Sequence, residues 1–262
     1  MRIRSLLLLL LFPVAMMAQT KASLLQKAWV GPELAYVSFD TTRCVFDFFG
    51  RFPAQMTYRI DGDTLRLQPN GPNFGFQGIG HPQFLIKQLT PDSLVLVPVD
   101  SGAVKMVKGQ PVLCYKNQAL TATDTIRFDS LYFKSTHCYG KCPAMEFQIS
   151  KNRQLKFIGD SYSVKEGHYT GVLSDSIYGR LQYLLSISAL DKLKTWEQRI
   201  YDVPRYTVAV WYNNKRQVVE NYELPRVMSE LFAYLKNLPG KVPLRKSAQA
   251  LVLANPYPVK GK

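Results

Sequence analysis

Hydrophobic and polar residues alternate through much of the chain between residues 24 and 117, which is the pattern of strands that bury one face. Residues 56–67 alternate on both sides of the turn sequence Asp61-Gly62-Asp63, so they predict a β-hairpin. The same pattern predicts further strands at 44–46, 84–86, 94–97, 104–107 and 112–115. Because helical periodicity is missing over any three turns, this region predicts an all-β antiparallel meander.

A second pattern begins near residue 125, where strands are joined by short turns and interrupted by two helices. In the strand at 144–150, Met145, Phe147 and Ile149 share one face, and the residues between them are polar. This indicates a sheet with one face exposed to water. The other predicted strands are 125–134, 155–159, 162–173, 206–212 and 217–222, the last two joined at Asn213-Asn214.

Two stretches of this region have helical periodicity. Ser174 caps the first, and Pro225 opens the second, which ends near residue 239. The apolar stripes are Ile177, Leu181, Leu184 and Leu185 in the first helix, and Met228, Leu231, Phe232 and Leu235 in the second. The fold class is therefore predicted as α+β: an N-terminal antiparallel meander, then a domain with two helices on an antiparallel sheet.

The two patterns meet at residues 116–124 (KNQALTATD), a small and polar stretch that suits a linker. A chain of 262 residues is long enough for two modest domains. We expect a β-meander domain at 22–118, an α+β domain at 124–239 and a basic flexible tail at 240–262. Residues 1–18 precede these domains and form the predicted signal peptide.

The N-terminus has the layout of a secretory signal peptide. Arg2 and Arg4 precede an apolar run at 6–17, which is followed by Ala18-Gln19-Thr20. We expect cleavage after Ala18, with Ala22 as the alternative. The run is shorter than the roughly 20 residues of a spanning helix, so no membrane span is expected and the protein is predicted to be periplasmic or secreted.

The formal net charge is +14, but the tail carries a large share of it. Its five basic residues, with no acidic residue among them, are Lys241, Arg245, Lys246, Lys260 and Lys262. A nucleic-acid-binding protein would concentrate such residues on one folded element, so no nucleic acid partner is expected. The alternative for the tail is weak adhesion to an anionic surface or polymer of the envelope.

Four cysteines in an exported chain predict disulfides. Cys138 and Cys142 lie in one loop, whereas Cys44 and Cys114 bracket the N-terminal region, so we expect the pairs Cys138–Cys142 and Cys44–Cys114. No catalytic residue, metal or cofactor is assigned. The candidate functional loop comprises His137, Tyr139, Gly140, Lys141 and Pro143 around the first pair.

The run Cys138-Tyr139-Gly140-Lys141-Cys142-Pro143 resembles the Cys-Tyr-Gly-x-Cys-Pro motif of a bacterial exported-domain family of unknown function. The resemblance covers about residues 124–239 and departs from the family at Met145, where an aromatic residue is common. It implies a fold and an extracytoplasmic location, and no activity. Residues 24–117 resemble the small lipocalin-like β-domains, which implies a half-barrel whose interior is filled by side chains or holds a small apolar ligand.

Three chemical alternatives compete with a structural role for this region. His137 and Lys141 could stabilise a thiolate, although three residues separate the cysteines and a strand follows them, unlike thiol oxidoreductases. A zinc site could use both cysteines with His137 and His168. A hydrolase could use the carboxylates of the Asp191–Asp202 loop, which are Asp191, Glu197 and Asp202.

The function favoured by these patterns is a non-enzymatic binding or scaffolding module of the bacterial envelope. The expected partner is an envelope protein, a polysaccharide or a small apolar ligand. The alternative is a thiol-dependent redox enzyme or hydrolase that uses the Cys138/Cys142 loop or the Asp191–Asp202 loop.

Overall fold

The computed structural model describes residues 20–47, 54–69, 79–123, 126–194, 202–254 and 256–257. The predicted signal peptide and Glu197 lie outside these ranges. The described chain is mostly antiparallel β-structure in two sheets, with four α-helices, in agreement with the predicted α+β class.

The first sheet is a closed barrel in which each strand pairs with the next and β1 pairs with β8. Its strands are β1 (Ala28–Val30), β2 (Tyr36–Phe39), β3 (Arg43–Asp47), β4 (Ala54–Asp61), β5 (Thr64–Pro69), β6 (Gln83–Leu89), β7 (Ser93–Pro98) and β8 (Leu113–Asn117). The predicted meander is confirmed, but the predicted half-barrel is wrong, because β1 and β2 complete the circle. These two strands are three and four residues long, too short to show a clear alternation.

Large side chains fill the barrel. Trp29, Phe46, Met56, Phe84 and Leu94 are buried, and the rings of Phe46 and Phe84 stack with centroids 6.0 Å apart. These side chains occupy the interior in which a small apolar ligand was one expected partner. Burial of this kind is the main source of the barrel's stability.

Two helices accompany the barrel: α1 (Lys21–Leu25) and α2 (Ser101–Met106). The strand predicted at 104–107 is therefore wrong. Asp100 caps α2, since its Oδ1 accepts a hydrogen bond from the Ala103 N–H at 2.7 Å. In a capped helical turn, the backbone N–H groups bond to the cap and to carbonyl groups of the same turn. In a strand, they would need a neighbouring strand as their acceptor.

The second sheet has seven antiparallel strands in the order β14-β13-β9-β10-β11-β12-β15. They are β9 (Phe128–Ser135), β10 (Met145–Ser150), β11 (Gln154–Gly159), β12 (Gly167–Val172), β13 (Tyr206–Tyr212), β14 (Lys215–Asn221) and β15 (Arg245–Lys246). Met145, Phe147 and Ile149 are buried on one face, as their alternation predicts. The strand predicted at 162–173 is shorter, because residues 160–166 form a loop.

Helices α3 (Asp175–Ser186) and α4 (Ser229–Asn237) cover the buried face of this sheet. The Ser174 hydroxyl accepts from the Ile177 N–H, so the predicted cap is confirmed. Leu181, Leu184, Leu231 and Leu235 are buried against the sheet, as the two stripes predict. Across the described residues, we find no helix with the length and apolar character needed to cross a membrane.

Residues 116–121, within the stretch predicted as a linker, have regular structure. Lys116 and Asn117 belong to β8, and residues 118–121 form a 3-10 helix. The buried Gln118 amide donates to the carbonyl oxygens of Ile187 at 3.2 Å and Val227 at 2.7 Å. Through these two bonds the end of the barrel is held against the second unit.

We expect Gln118→Ala to lower the free energy of unfolding by about 1 to 2 kcal/mol, because two buried carbonyl groups lose their donor. Chemical denaturation of the full chain measures this change, and limited proteolysis should become faster near Thr121. Leu120→Ala is the control: Leu120 lies in the same turn but is 64% exposed, so its removal should change stability by less than about 0.5 kcal/mol. Equal effects of the two substitutions would contradict this role of Gln118.

The segment after Gly240 also differs from its prediction as a flexible tail. Arg245 and Lys246 form β15 and pair with Thr170 and Tyr169 of β12. The following residues, 247–254 with Pro256 and Tyr257, cross the exposed face of the sheet and are called the strap below. The sequence does not predict β15, because a two-residue strand leaves no alternating pattern.

Candidate functional site

The predicted functional loop lies at one end of the second sheet, together with two other connections. It is residues 136–144, between β9 and β10. The others are residues 160–166, between β11 and β12, and residues 202–205, before β13. We call these three segments the loop end.

A disulfide joins Cys138 to Cys142, as predicted, with Cα atoms 5.7 Å apart. It closes a short turn that holds Tyr139, Gly140 and Lys141 outward, since all three are exposed. Below the turn, the Ser135 hydroxyl donates to the Pro143 carbonyl at 2.7 Å. The loop is therefore closed at its tip by a covalent bond and at its base by a hydrogen bond.

Neighbouring segments hold this loop on both sides. The Thr136 N–H donates to the Arg205 carbonyl at 3.0 Å, and the Arg205 N–H donates to the Thr136 hydroxyl at 2.9 Å. On the other side, the Ala144 N–H donates to the Ser161 carbonyl at 3.0 Å. The three segments of the loop end thus form one connected surface.

His137 takes part in this network. Its Nε2 lies 2.9 Å from the Ser161 hydroxyl and 3.3 Å from Oδ2 of Asp160. The ring therefore links the cysteine loop to residues 160–166. This contact gives His137 a positioning role within the loop end.

The outer surface of the loop end carries large apolar side chains. Tyr139 is 92% exposed, Tyr162 is 56% exposed, Val164 is 55% exposed and Val203 is 39% exposed. Grouped exposed apolar residues of this kind mark interaction sites more often than isolated ones do. Their backbone neighbours are hydrogen-bonded to one another, so the grouping is fixed by the fold.

Two residues of the loop end adopt the left-handed conformation, Tyr162 at φ 60° and Asp202 at φ 63°. A non-glycine residue in this region costs free energy, and the cost concentrates at functional sites. The Asp202 carbonyl accepts a hydrogen bond from Tyr139 N–H at 3.5 Å. The strained positions therefore flank the cysteine loop.

The zinc alternative does not match this geometry. The sulfur atoms of Cys138 and Cys142 are bonded to each other, and the Nδ1 atom of His168 accepts the Leu251 N–H at 3.0 Å. A thiolate ligand needs a free sulfur. Nowhere in the described ranges do three or more His, Cys, Asp or Glu side chains come together as a possible metal site.

The paired-carboxylate alternative is wrong for Asp191 and Asp202. Asp191 accepts from the Tyr212 hydroxyl at 2.9 Å, at the far end of β13, whereas Asp202 lies beside Tyr139 before that strand begins. The six residue steps of β13 put these ends about 20 Å apart, beyond the separation that glycosidase chemistry uses. Burial and the bond to Asp191 raise the pKa of Tyr212 to about 12.

The predicted Cys44–Cys114 bridge is also wrong. Both cysteines are free, with Cys44 buried and Cys114 exposed. Cys44 lies on β3 and Cys114 on β8, and strands β1 and β2 stand between them in the barrel. Three strand spacings amount to about 14 Å, too far for a disulfide. Their side chains also face opposite sides of the barrel wall.

We expect the native protein to show one rapidly reacting thiol, Cys114, in a titration with a disulfide reagent. Burial raises the pKa of the Cys44 thiol to about 12, so its reactive thiolate is scarce near neutral pH. Cys44 should react only after unfolding, and Cys138 and Cys142 only after reduction. A fast thiol mapped to Cys138 in the native protein would contradict the structural assignment of the loop disulfide.

A groove adjoins the loop end on the exposed face of the sheet. Five cross-strand pairs in register place one row of side chains across β12, β11, β10, β9, β13 and β14. The row is His168, Ile158, Glu146, Lys134, Thr207 and Glu220. All but His168 line the groove, whose volume is about 500 Å³, and the strap forms its wall.

Side chains of the sheet hold the strap above this row. The Leu251 N–H donates to His168 Nδ1, and the Ala254 N–H donates to the Gln148 side-chain oxygen at 3.1 Å. Lys156 Nζ donates to the Val252 carbonyl at 3.4 Å. The strap residues alternate between partly buried Leu251 and Leu253 and exposed Val252 and Ala254. An extended chain lying flat on a sheet face gives this alternation.

The charges on the groove floor are paired. Arg205 forms an ion pair with Glu220, and Lys134 lies 3.7 Å from a Glu146 oxygen. The same carboxylate accepts from the Tyr132 hydroxyl at 2.7 Å. Burial, with the contribution of that bond, raises the pKa of Tyr132 well above its usual value. The floor therefore presents fixed donors and acceptors and no net charge.

Sequence reasoning missed this groove, although one signal was present. The alternation at 144–150 placed Glu146 and Gln148 on the exposed face. The residues that complete the floor, such as Thr207 and Glu220, lie on strands whose register is a property of the folded sheet.

A protein family described as a domain of unknown function (DUF6438) matches residues 129–239. This confirms the resemblance to a family of unknown function and places its bounds within the second sheet and its helices. No curated protein matches the chain.

Proposed function

We propose that this protein is an exported, non-enzymatic binding module of the bacterial envelope, and that it contacts a partner protein through the loop end. The observation that carries the proposal is the exposed apolar group of Tyr139, Tyr162, Val164 and Val203 on loops held by hydrogen bonds and a disulfide. Aromatic side chains on a pre-organised surface lose little entropy on binding and contribute much of the affinity at protein interfaces.

Two observations support export. The N-terminal sequence has the charged, apolar and small-residue order of a signal peptide, and the Cys138–Cys142 disulfide suits an oxidising compartment. A lipocalin-like character of the barrel remains part of this proposal, supported by its up-and-down order of eight strands. A polysaccharide of the envelope is retained as a further class of partner.

Site-specific photo-cross-linking in the producing cell tests the proposal. A photoreactive phenylalanine analogue replaces Tyr139 or Tyr162 in separate strains, and the same analogue at Tyr183 serves as the control. Tyr183 is a tyrosine of similar chemistry, 37% exposed, on α3. We expect the same higher-mass protein adduct at Tyr139 and Tyr162 and none at Tyr183. Adducts of equal yield at all three positions, or none at the first two, would refute the proposal.

A further inference from the structure

We propose that the groove beneath the strap binds a neutral saccharide. This inference deepens the proposed function, on which it rests, by naming a ligand class for a second surface of the module. The groove volume of about 500 Å³ lies within the range of small-molecule sites. Its two sides differ in chemistry, and this difference selects the ligand.

The charge balance of the floor selects an uncharged ligand. Each cation faces a carboxylate, Arg205 with Glu220 and Lys134 with Glu146. An anionic or cationic ligand would have to compete with one of these pairs and leave its partner uncompensated. Hydroxyl groups can donate to the carboxylates and accept from the cations without separating the pairs.

The wall supplies the apolar side of the site. Leu251, Leu253 and Pro256 of the strap line the groove opposite the polar floor, and Ile158 adds an apolar position to the floor. A sugar ring presents hydroxyl groups around its rim and C–H groups on its faces. The groove therefore offers hydrogen-bonding groups for the rim and an apolar surface for one face.

An extended peptide fits the groove floor less well than a saccharide does. It is the face of a sheet, whose backbone donors and acceptors pair within the sheet, so a peptide would find no free strand edge there. The strap, which is a peptide segment lying on this face, is bound by side chains and not by a strand edge. Beyond Ser247, its main chain is held by the side chains of His168, Gln148 and Lys156.

Isothermal titration calorimetry of the mature full-length protein tests the inference. The probes are three neutral disaccharides: maltose, cellobiose and diacetylchitobiose. We expect at least one to bind with a Kd below about 10 mM. Because the ligand is uncharged, the Kd should change by less than about twofold between about 50 mM and 500 mM NaCl. A short peptide bearing both a lysine and a glutamate is the competing probe.

Four variants locate the binding. Truncation after Lys246 removes the strap and should weaken binding at least about tenfold, whereas truncation after Tyr257 keeps the strap and should leave the Kd unchanged. Glu146→Gln removes one charged acceptor from the floor and should also weaken binding, with the far-UV circular dichroism spectrum unchanged. Tyr139→Ser, at the loop end, should bind the disaccharide like the parent protein.

The inference is overturned if none of the disaccharides binds at about 10 mM, if the peptide alone binds, or if truncation after Lys246 leaves the Kd unchanged. These outcomes would refute sugar binding in the groove without refuting the proposed binding of a partner protein at the loop end. Cross-linking at Tyr139 and Tyr162 reports on the loop end, so it can succeed when the groove binds no sugar.

Discussion

Replacing Gly159 by alanine is expected to lower the free energy of unfolding by about 3 kcal/mol, because the added methyl group has no space. Gly159 ends β11 and pairs with Met145 and Gly167. A Cβ atom at this position would overlap the carbonyl oxygen of Lys165, a backbone atom that cannot rotate away. The loop at 160–166 would have to move, and Tyr162 and Val164 would move with it.

Gly179→Ala is the matched control. Gly179 lies on α3, where a Cβ atom would meet nothing within 4 Å. Alanine favours the helix over glycine by up to about 1 kcal/mol, so this variant should be slightly more stable than the parent. Urea denaturation followed by circular dichroism measures both. If Gly159→Ala proves as stable as the parent, the packing assigned to the loop end is incorrect.

The second large effect is expected from replacing Cys138 and Cys142 together by serine. The short closed loop gives an entropic contribution of about 2 kcal/mol, which the double variant loses. The loop at 136–144 keeps its hydrogen bonds to Arg205 and Ser161, so the fold should survive. Denaturant unfolding of the oxidised parent and the variant gives the difference.

Cys114→Ser serves as the control for that measurement, since Cys114 is an exposed free thiol on the barrel. Its replacement should change stability by less than about 0.5 kcal/mol. A double variant as stable as this control would mean that the loop disulfide contributes nothing to the fold.

Local sequence signals predicted much of the second sheet. The alternation at 145–150 identified the buried face, Ser174 marked the start of α3, and Asn213-Asn214 marked a turn whose two residues have φ of 49° and 58°. Each of these features is decided by residues close in sequence. Turns with positive φ favour asparagine, and capping needs only a side-chain oxygen near the first turn.

The errors arose where distant residues decide the structure. The Cys44–Cys114 pairing failed because strand order in the barrel separates β3 from β8. The contacts of Gln118 in the predicted linker could not be anticipated, because the carbonyl groups that accept from its amide belong to residues 187 and 227. Periodicity alone carries no information about such contacts.

The candidate site divides in the same way. The cysteine loop could be predicted, because its spacing, its turn residues and Pro143 lie within one short segment. The exposed tyrosine and valine residues around it could not be predicted, and neither could the groove row from Ile158 to Glu220. These residues come together only through the register of five strands.

In the proposed function, the Cys138–Cys142 disulfide holds the loop end in the shape that a partner protein recognises. The most direct test repeats the photo-cross-link with the Tyr162 analogue in the parent chain and in the Cys138→Ser, Cys142→Ser background, at equal protein levels. The analogue at Tyr162 lies outside the turn that the disulfide closes, so the serine substitutions leave its photoreactive group unchanged. We expect the adduct yield to fall several-fold without the disulfide, whereas an unchanged yield would show that the partner does not depend on the disulfide-closed loop.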